Sequence, residues 1–327
     1  MPRRIFITVS PIYERAVKRA IGCLEQDGFE VHYLGRPDES LEAGELLGLL
    51  RETEIYIVGN AKVPRSVIEG SPDLRLIVKY GAGVDNIDLD AAGERGVQVT
   101  NAPGANAVSV AEMTMGLMLS LARGLKQAEA TLRAGEWRLT VGEELAGRTL
   151  GIIGLGNIGK EVAMRARAFG MRVLANDIVE YAEFCRRFDV RPAGLEQLLA
   201  EADVVSLHVP LTPLTRCLIG ASQLARMKHG AVLIDTARGG VLDEMAVSAS
   251  LQAGRLAGAA VDVFEREPLG PSPLRSLDNV ILTPHIAGIT RQAAERIADR
   301  TLENVRAYAS GRTPPGLVRA ASNSGPQ

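Results

Sequence analysis

The sequence predicts an α/β protein built on two doubly wound parallel sheets. Three observations carry this: β-rich runs alternate with helix-like stretches, the runs are too apolar to have one wet face, and 327 residues exceed the usual span of one domain.

In chain order, RIFITV (4–9) reads as a strand and ERAVKRAIGCLEQDG (14–28) as the helix after it. IYIVG (55–59) and LRLIVKYG (74–81) continue the pattern with helical stretches between them. The segment from Asn106 to Trp137 has no proline and glycine only at Gly116, Gly124 and Gly135, and reads as one long helix. The same grammar resumes with TLGIIG, MRVLAND, DVVSLHV, AVLIDTA, LAGAAVDVF and NVILTPH as strands. RQAAERIADRTLENVRAYASG (291–311) reads as an amphipathic helix, and the chain is expected to be loose from about Ala320. No repeat of the solenoid kind is present.

Charge and composition exclude several classes. Lys and Arg number 37 against 39 Asp and Glu, without blocks of one sign, so no nucleic-acid footprint exists. Cys23, Cys185 and Cys217 are far apart and show no metal-ligand spacing, which suits a reducing cytosol and predicts no metal. The basic start is interrupted by proline and charge too soon for a signal-peptide core, and no apolar run reaches the roughly 20 residues of a membrane span. A cytoplasmic protein is expected.

GIIGLGNIG places Gly154, Gly156 and Gly159 in GxGxxG spacing, directly after a strand and before a helix. Gly154 permits the tight turn, Gly156 lets backbone approach a pyrophosphate, and Gly159 lets helix and strand pack closely, while the helix start at Asn157 and Ile158 presents N–H groups to the anion. The next strand ends at Asp177, 18 residues after Gly159, where a carboxylate meets the adenosine ribose. This predicts a Rossmann dinucleotide unit. A carboxylate there repels a 2′-phosphate, so NAD is favoured over NADP, although Arg186 and Arg187 lie within reach along the chain.

Three more segments fall near strand ends: LIDTARGGVLDE, AAVDVFEREP and LTPHIAG. Ligands of open parallel sheets collect outside the carboxyl ends of the strands, so Arg238, Glu267 and His285 are expected to converge. A guanidinium grips a carboxylate or carbonyl oxygen by paired hydrogen bonds, and an imidazole beside a carboxylate delivers a proton as hydride arrives at carbon. Arg238 is thus the expected substrate anchor, His285 the acid and Glu267 its orienter.

With KYGAGVDNIDL, NAPGANAVSVAE, GIIGLGNIG, HVPLTPLTR, DTARGGVLDE, AAVDVFEREP and TPHIAG in order, the chain resembles the D-isomer-specific 2-hydroxyacid dehydrogenases over nearly its whole length. The resemblance implies the Arg238, Glu267 and His285 triad, with Glu267, directly before Pro268, and not Glu265 as its carboxylate. It also implies Ala237 and Asp262 at the nicotinamide carboxamide, and His208, Pro210, Thr212 and Gly288 among the cofactor contacts. Gly81, Ala82 and Gly83 are implied as backbone donors to the substrate carboxylate, a physically sensible nest. The implied layout is a flavodoxin-like substrate domain from 1–101 and 288–327, an NAD domain from 102–287, a cleft that closes between them, and a homodimer through the NAD domains to which Trp137 contributes.

Substrate choice rests on the loop IVGNAKVP. Gly59, Asn60 and Ala61 stand where phosphoglycerate dehydrogenases of the better-known type carry arginines, which favours an unphosphorylated acid such as hydroxypyruvate or glyoxylate. Lys62, Arg65 or Lys79 are the other cations near that loop. The alternatives are D-3-phosphoglycerate dehydrogenase and, from a different class, an NAD-sensing, partner-binding corepressor-like protein.

Overall fold

A computed structural model describes residues 3–37 and 41–318. The expected loose tail from Ala320 lies outside the described residues. The chain divides into two compact units, residues 1–106 with 289–327, and residues 107–288.

The first unit is a five-stranded parallel sheet. Its strands are β1 (Arg4–Thr8), β2 (Glu30–Tyr33), β3 (Ile55–Val58), β4 (Leu76–Lys79) and β5 (Gln98–Thr100), ordered β2-β1-β3-β4-β5. Alternation decides which face each residue fills. Ile5, Ile7, Ile55 and Ile57 point to one face, where α1 (Glu14–Gln26) and the late helix α12 (Arg291–Ala309) cover them with Val17, Leu24, Ile297 and Leu302. Phe6, Tyr56 and Val58 point to the other, under α2 (Ala43–Leu49), α3 (Arg65–Glu69) and α4 (Leu89–Glu94). Ile57 is 2% exposed, and burying such a side chain contributes roughly 1.5–3 kcal/mol.

The boundary after Asn106, five residues beyond the one read at 101, has a hydrogen-bond basis. Ala102 N–H donates to the Gly81 carbonyl at 2.8 Å, Asn304 Nδ2 to the Asn101 carbonyl at 3.0 Å, and Arg296 Nε to the Ala105 carbonyl at 2.7 Å. Residues 101–105 are thereby tied into the first unit.

The second unit is a seven-stranded parallel sheet of β6 (Thr149–Ile153), β7 (Arg172–Asn176), β8 (Val190–Pro192), β9 (Val204–Leu207), β10 (Ala231–Asp235), β11 (Leu256–Val261) and β12 (Val280–Leu282). The order β12-β11-β10-β9-β6-β7-β8 reverses at β6, the switch point where such sheets take ligands. On one face, α5 (Ala107–Ala122) and α7 (Asn157–Ala168) pack over Ile152, Val173 and Ile234. On the other, α9 (Leu195–Glu201), α10 (Ala221–Arg226) and α11 (Glu244–Gln252) cover Val205, Leu207, Leu233 and Val261.

The single long helix read from Asn106 to Trp137 is corrected. It is two helices, α5 and α6 (Leu125–Arg133), bent by 63°. Gly124 at φ 58° is the cause: a left-handed residue ends the first helix and caps the second. No single helix among the described residues is long and apolar enough to cross a membrane.

Candidate active site

Register lines up the carboxyl edge of the second sheet. Leu282, Val261, Asp235, Leu207, Ile153 and Asn176 pair across six strands in one row. The residues next in sequence are therefore neighbours in space: Thr283, Asp262, Thr236, His208, Gly154 and Asp177. Every segment singled out beyond residue 150 leaves the sheet from this edge.

His285 sits three residues past β12 in a left-handed conformation at φ 54°, which is uncommon for a non-glycine residue. Its Nδ1 lies 2.7 Å from Glu267 Oε2. The other carboxylate oxygen, Oε1, accepts the Phe264 N–H at 3.0 Å. Burial resists ionisation of Glu267, but the hydrogen bond and charge of His285, with the Phe264 N–H, outweigh it and hold the carboxyl below its usual range. Because a carboxylate only accepts, Nδ1 is the donor, and Nε2 is the ring nitrogen that this pair does not use. Glu265, two residues earlier, donates its backbone N–H to Glu244 Oε1 at 2.9 Å, and its carboxylate lies 3.7 Å from Arg216.

Arg238 follows β10 in a turn pressed against the loop that carries Glu267. A Cβ built on Gly239 would stand 1.8 Å from the Phe264 carbonyl oxygen, so only glycine allows that approach. Arg238 Nη1 donates to the Ala237 carbonyl at 2.7 Å, and Ala237 N–H to Asp235 Oδ1 at 2.9 Å. Asp235 is 1% exposed, and burial pushes its carboxyl up to about 8.

Asp262 has no exposed surface. Its Oδ1 accepts the Thr283 hydroxyl at 2.6 Å and the Ile286 N–H at 2.9 Å, and its Oδ2 accepts the Ala287 N–H at 2.9 Å. This carboxylate thus braces the turn around His285, a role that the sequence reading missed. The signal was available in the spacing of a strand-end aspartate from a following TPHIAG turn, but nothing local marks the partnership.

The glycine turn fits a dinucleotide. Gly154 turns at φ 95°, and a Cβ on Gly159 would stand 2.0 Å from the Gly154 carbonyl oxygen, so helix and turn touch. A Cβ on Gly156 would meet nothing within 4 Å, which leaves that backbone open to a ligand at the start of α7. First-turn N–H groups at Asn157, Ile158 and Gly159 lie where helices hold anions. Asp177 accepts the Leu155 N–H at 2.6 Å and the Val179 N–H at 2.9 Å, and thereby couples the glycine turn to the end of β7.

His208 lies beside that turn, its carbonyl oxygen 2.6 Å from where a Gly154 Cβ would be. Its Nε2 meets Ser206 Oγ at 2.9 Å, and burial pushes the ring down to about 3, so it is neutral. Pro210 and Thr212 belong to a self-tied turn in which Thr215 Oγ1 donates to the Pro210 carbonyl and accepts the Thr212 N–H. Gly288 closes the second unit. Gly81, Ala82 and Gly83 lie in the first unit, after β4, where Asn101 Nδ2 donates to the Ala82 carbonyl at 2.5 Å. Among the described residues no cluster of His, Cys, Asp and Glu has the makings of a metal site.

A glycine cradle and a His–Glu pair along one sheet edge are the parts a nucleotide-dependent oxidoreductase needs. The chain belongs to the D-isomer specific 2-hydroxyacid dehydrogenase family, whose NAD binding domain matches residues 115–287. It is an NAD-linked enzyme of that class. It is 43% identical to a hydroxypyruvate reductase of Thermotoga maritima, over 82% of this chain and 88% of that one. It is 42% identical to a D-3-phosphoglycerate dehydrogenase of Methanocaldococcus jannaschii, over 96% of this chain but 59% of the relative's length. A crystal structure of D-lactate dehydrogenase from Aquifex aeolicus with NAD and lactic acid matches with a TM-score of 0.84 at 32% identity, covering 98% of this chain and all of that one.

Proposed function

We propose that the chain reduces a small, unphosphorylated 2-oxo acid with NADH, hydroxypyruvate or glyoxylate being the type. The observation that carries this is the His285–Glu267 pair at 2.7 Å, on the same sheet edge as the glycine cradle.

When bound, NADH supplies hydride to the substrate's carbonyl carbon. Arg238, in the second unit, grips the substrate's carbonyl oxygen. In the first unit the Gly81–Gly83 turn suits a carboxylate through the N–H groups of Ala82 and Gly83, since Gly81 N–H donates to the Lys79 carbonyl at 2.9 Å. His285 Nε2 gives its proton to the carbonyl oxygen as charge develops there, and Glu267 fixes the ring and stabilises its charged form. Asp177 takes the adenosine ribose. Residues 107–288 form the cofactor domain and the remainder the substrate domain.

The absence of a phosphate on the substrate is supported by the loop after β3, where Gly59, Asn60 and Ala61 bring no guanidinium. Arg65 is paired with Glu69 at 3.1 Å and Glu94 at 2.5 Å, and these carboxylates compete with a dianion for it. A homodimer in the cytosol completes the reading, with the exposed apolar run of Trp137, Leu139 and Val141 as contact. The test is NADH oxidation by purified protein against a panel of 2-oxo acids that includes 3-phosphohydroxypyruvate. Turnover of hydroxypyruvate or glyoxylate supports the reading; preference for the phosphorylated acid replaces it with the phosphoglycerate one.

A further inference from the structure

Lys79 is an unusual residue to find inside a sheet. It ends β4, is 7% exposed, and stands opposite Val58 in the parallel register. Its ammonium donates to the Gly59 carbonyl, and Asn60 Oδ1 is 3.5 Å away. The stem runs beneath the next loop: a Cβ on Gly81, which has φ 151°, would stand 3.4 Å from Lys79 Cε. The loops after β3 and β4 are thus joined from within by one side chain.

Asn86 makes the same connection from the far side of the turn. Its Nδ2 donates to the Gly59 carbonyl at 3.2 Å and to the Ala61 carbonyl at 2.6 Å. In a trans peptide the carbonyl and the following N–H point in opposite directions. Drawing the Gly59 and Ala61 carbonyls toward Lys79 and Asn86 therefore turns the N–H groups of Asn60 and Lys62 away from them. A buried ammonium is costly to place, and as filler between strands a methionine would serve as well.

We propose that Lys79 is a specificity-determining positioning residue. It locks the Gly59–Ala61 loop to the Gly81–Gly83 turn, and this fixed pair shapes the place that takes the carboxylate end of the 2-oxo acid. The inference rests on the functional reading above, which puts the substrate carboxylate at that turn. It assigns Lys79 no contact with the reacting atoms.

The experiment compares wild type with Lys79→Met, Lys79→Gln and Asn60→Ala, using hydroxypyruvate as substrate, oxamate as a non-reacting carboxylate probe, and NADH fluorescence for cofactor affinity. In Lys79→Met, KM and the oxamate inhibition constant are expected to rise together by about tenfold, the scale of one lost charged hydrogen bond, with kcat within about threefold and NADH affinity unchanged. Lys79→Gln keeps an N–H donor and is expected to recover part of this. Asn60→Ala, on the exposed loop, is expected to shift the same two constants less, and with Lys79→Gln it carries the test if Lys79→Met does not fold. Folded variants with wild-type KM and wild-type oxamate inhibition overturn the proposal. Wild-type protein that reduces no 2-oxo acid overturns the functional reading first, and the proposal with it.

Discussion

The N–H of His285 donates to the carbonyl oxygen of Asp262 at 2.8 Å, while the Asp262 carboxylate holds the two residues that follow His285. One buried residue therefore clamps the left-handed turn on both sides of the imidazole. Asp262→Asn replaces an acceptor with an N–H group that faces another donor, and is expected to cost about 1–3 kcal/mol of stability and to lower kcat. Denaturant melts and turnover check this. A variant with wild-type kcat but weakened NADH binding would show that Asp262 serves the cofactor and not the turn.

His285→Ala is expected to lower turnover by roughly two to four orders of magnitude with NADH affinity retained, the scale of general acid catalysis. Glu267→Gln should lower it less, because the ring keeps a hydrogen-bond partner and loses only the charge. Since Glu267 is held below its usual range, it stays ionised to lower pH than a free glutamate, and acid loss from its protonation belongs below pH 4.5. Single-turnover rates across pH measure both effects.

Asp235 gives the fold a pH dependence with a definite sign. Its carboxyl is pushed from 3.8 up to about 8, so the folded chain keeps a proton that the unfolded chain releases, and stability falls as pH rises between those values. His208, pushed from 6.5 down to about 3, acts the other way: its contribution is lost as pH falls through that range. The two oppose each other below 6.5, which leaves Asp235 between 6.5 and 8. Asp235→Asn is expected to flatten stability across that window in urea melts; an unchanged slope would remove Asp235 as the titrating group.

Asp177→Ala is expected to weaken NADH and to narrow its advantage over NADPH. Part of the loss comes from the turn itself, since Leu155 and Val179 lose their acceptor. Arg187 stacks at 5.2 Å over Phe188 and offers no ready replacement. Equal NADH to NADPH ratios in wild type and variant would end the ribose assignment.

Trp137, Leu139 and Val141 are 84%, 85% and 102% exposed, more apolar surface than one short segment normally leaves in water. Replacing all three with serine is expected to convert the proposed dimer to a monomer by sedimentation while the melting curve of each protomer survives. A wild-type monomer would refute the contact.

Much of this was legible because parallel strands announce themselves. Runs such as AVLIDTA are apolar on both faces, and the glycine spacing states its own geometry. The edge strands β2, β5 and β8 were missed for the complementary reason: EVHY, QVT and VRP are short, and EVHY is largely half-buried, so no apolar run marks them. The break at Gly124 was hidden because glycine inside a helical pattern is tolerated as often as it ends one. Lys79 was visible only as a nearby cation, since its burial depends on how two loops far apart in sequence meet.

The helix α12 supplies Ala294, Ile297, Ala298, Leu302 and Val305 to a core whose other members lie before residue 106. On a ribosome these residues emerge after the whole second unit. The second unit can therefore be complete in the emerging chain while the earlier-made strands, covered on that face by α1 alone, still lack the helix that completes it. Completion of this core therefore waits for the last helix of the chain, and the apolar face left beside α1 in that interval is where a chaperone would act.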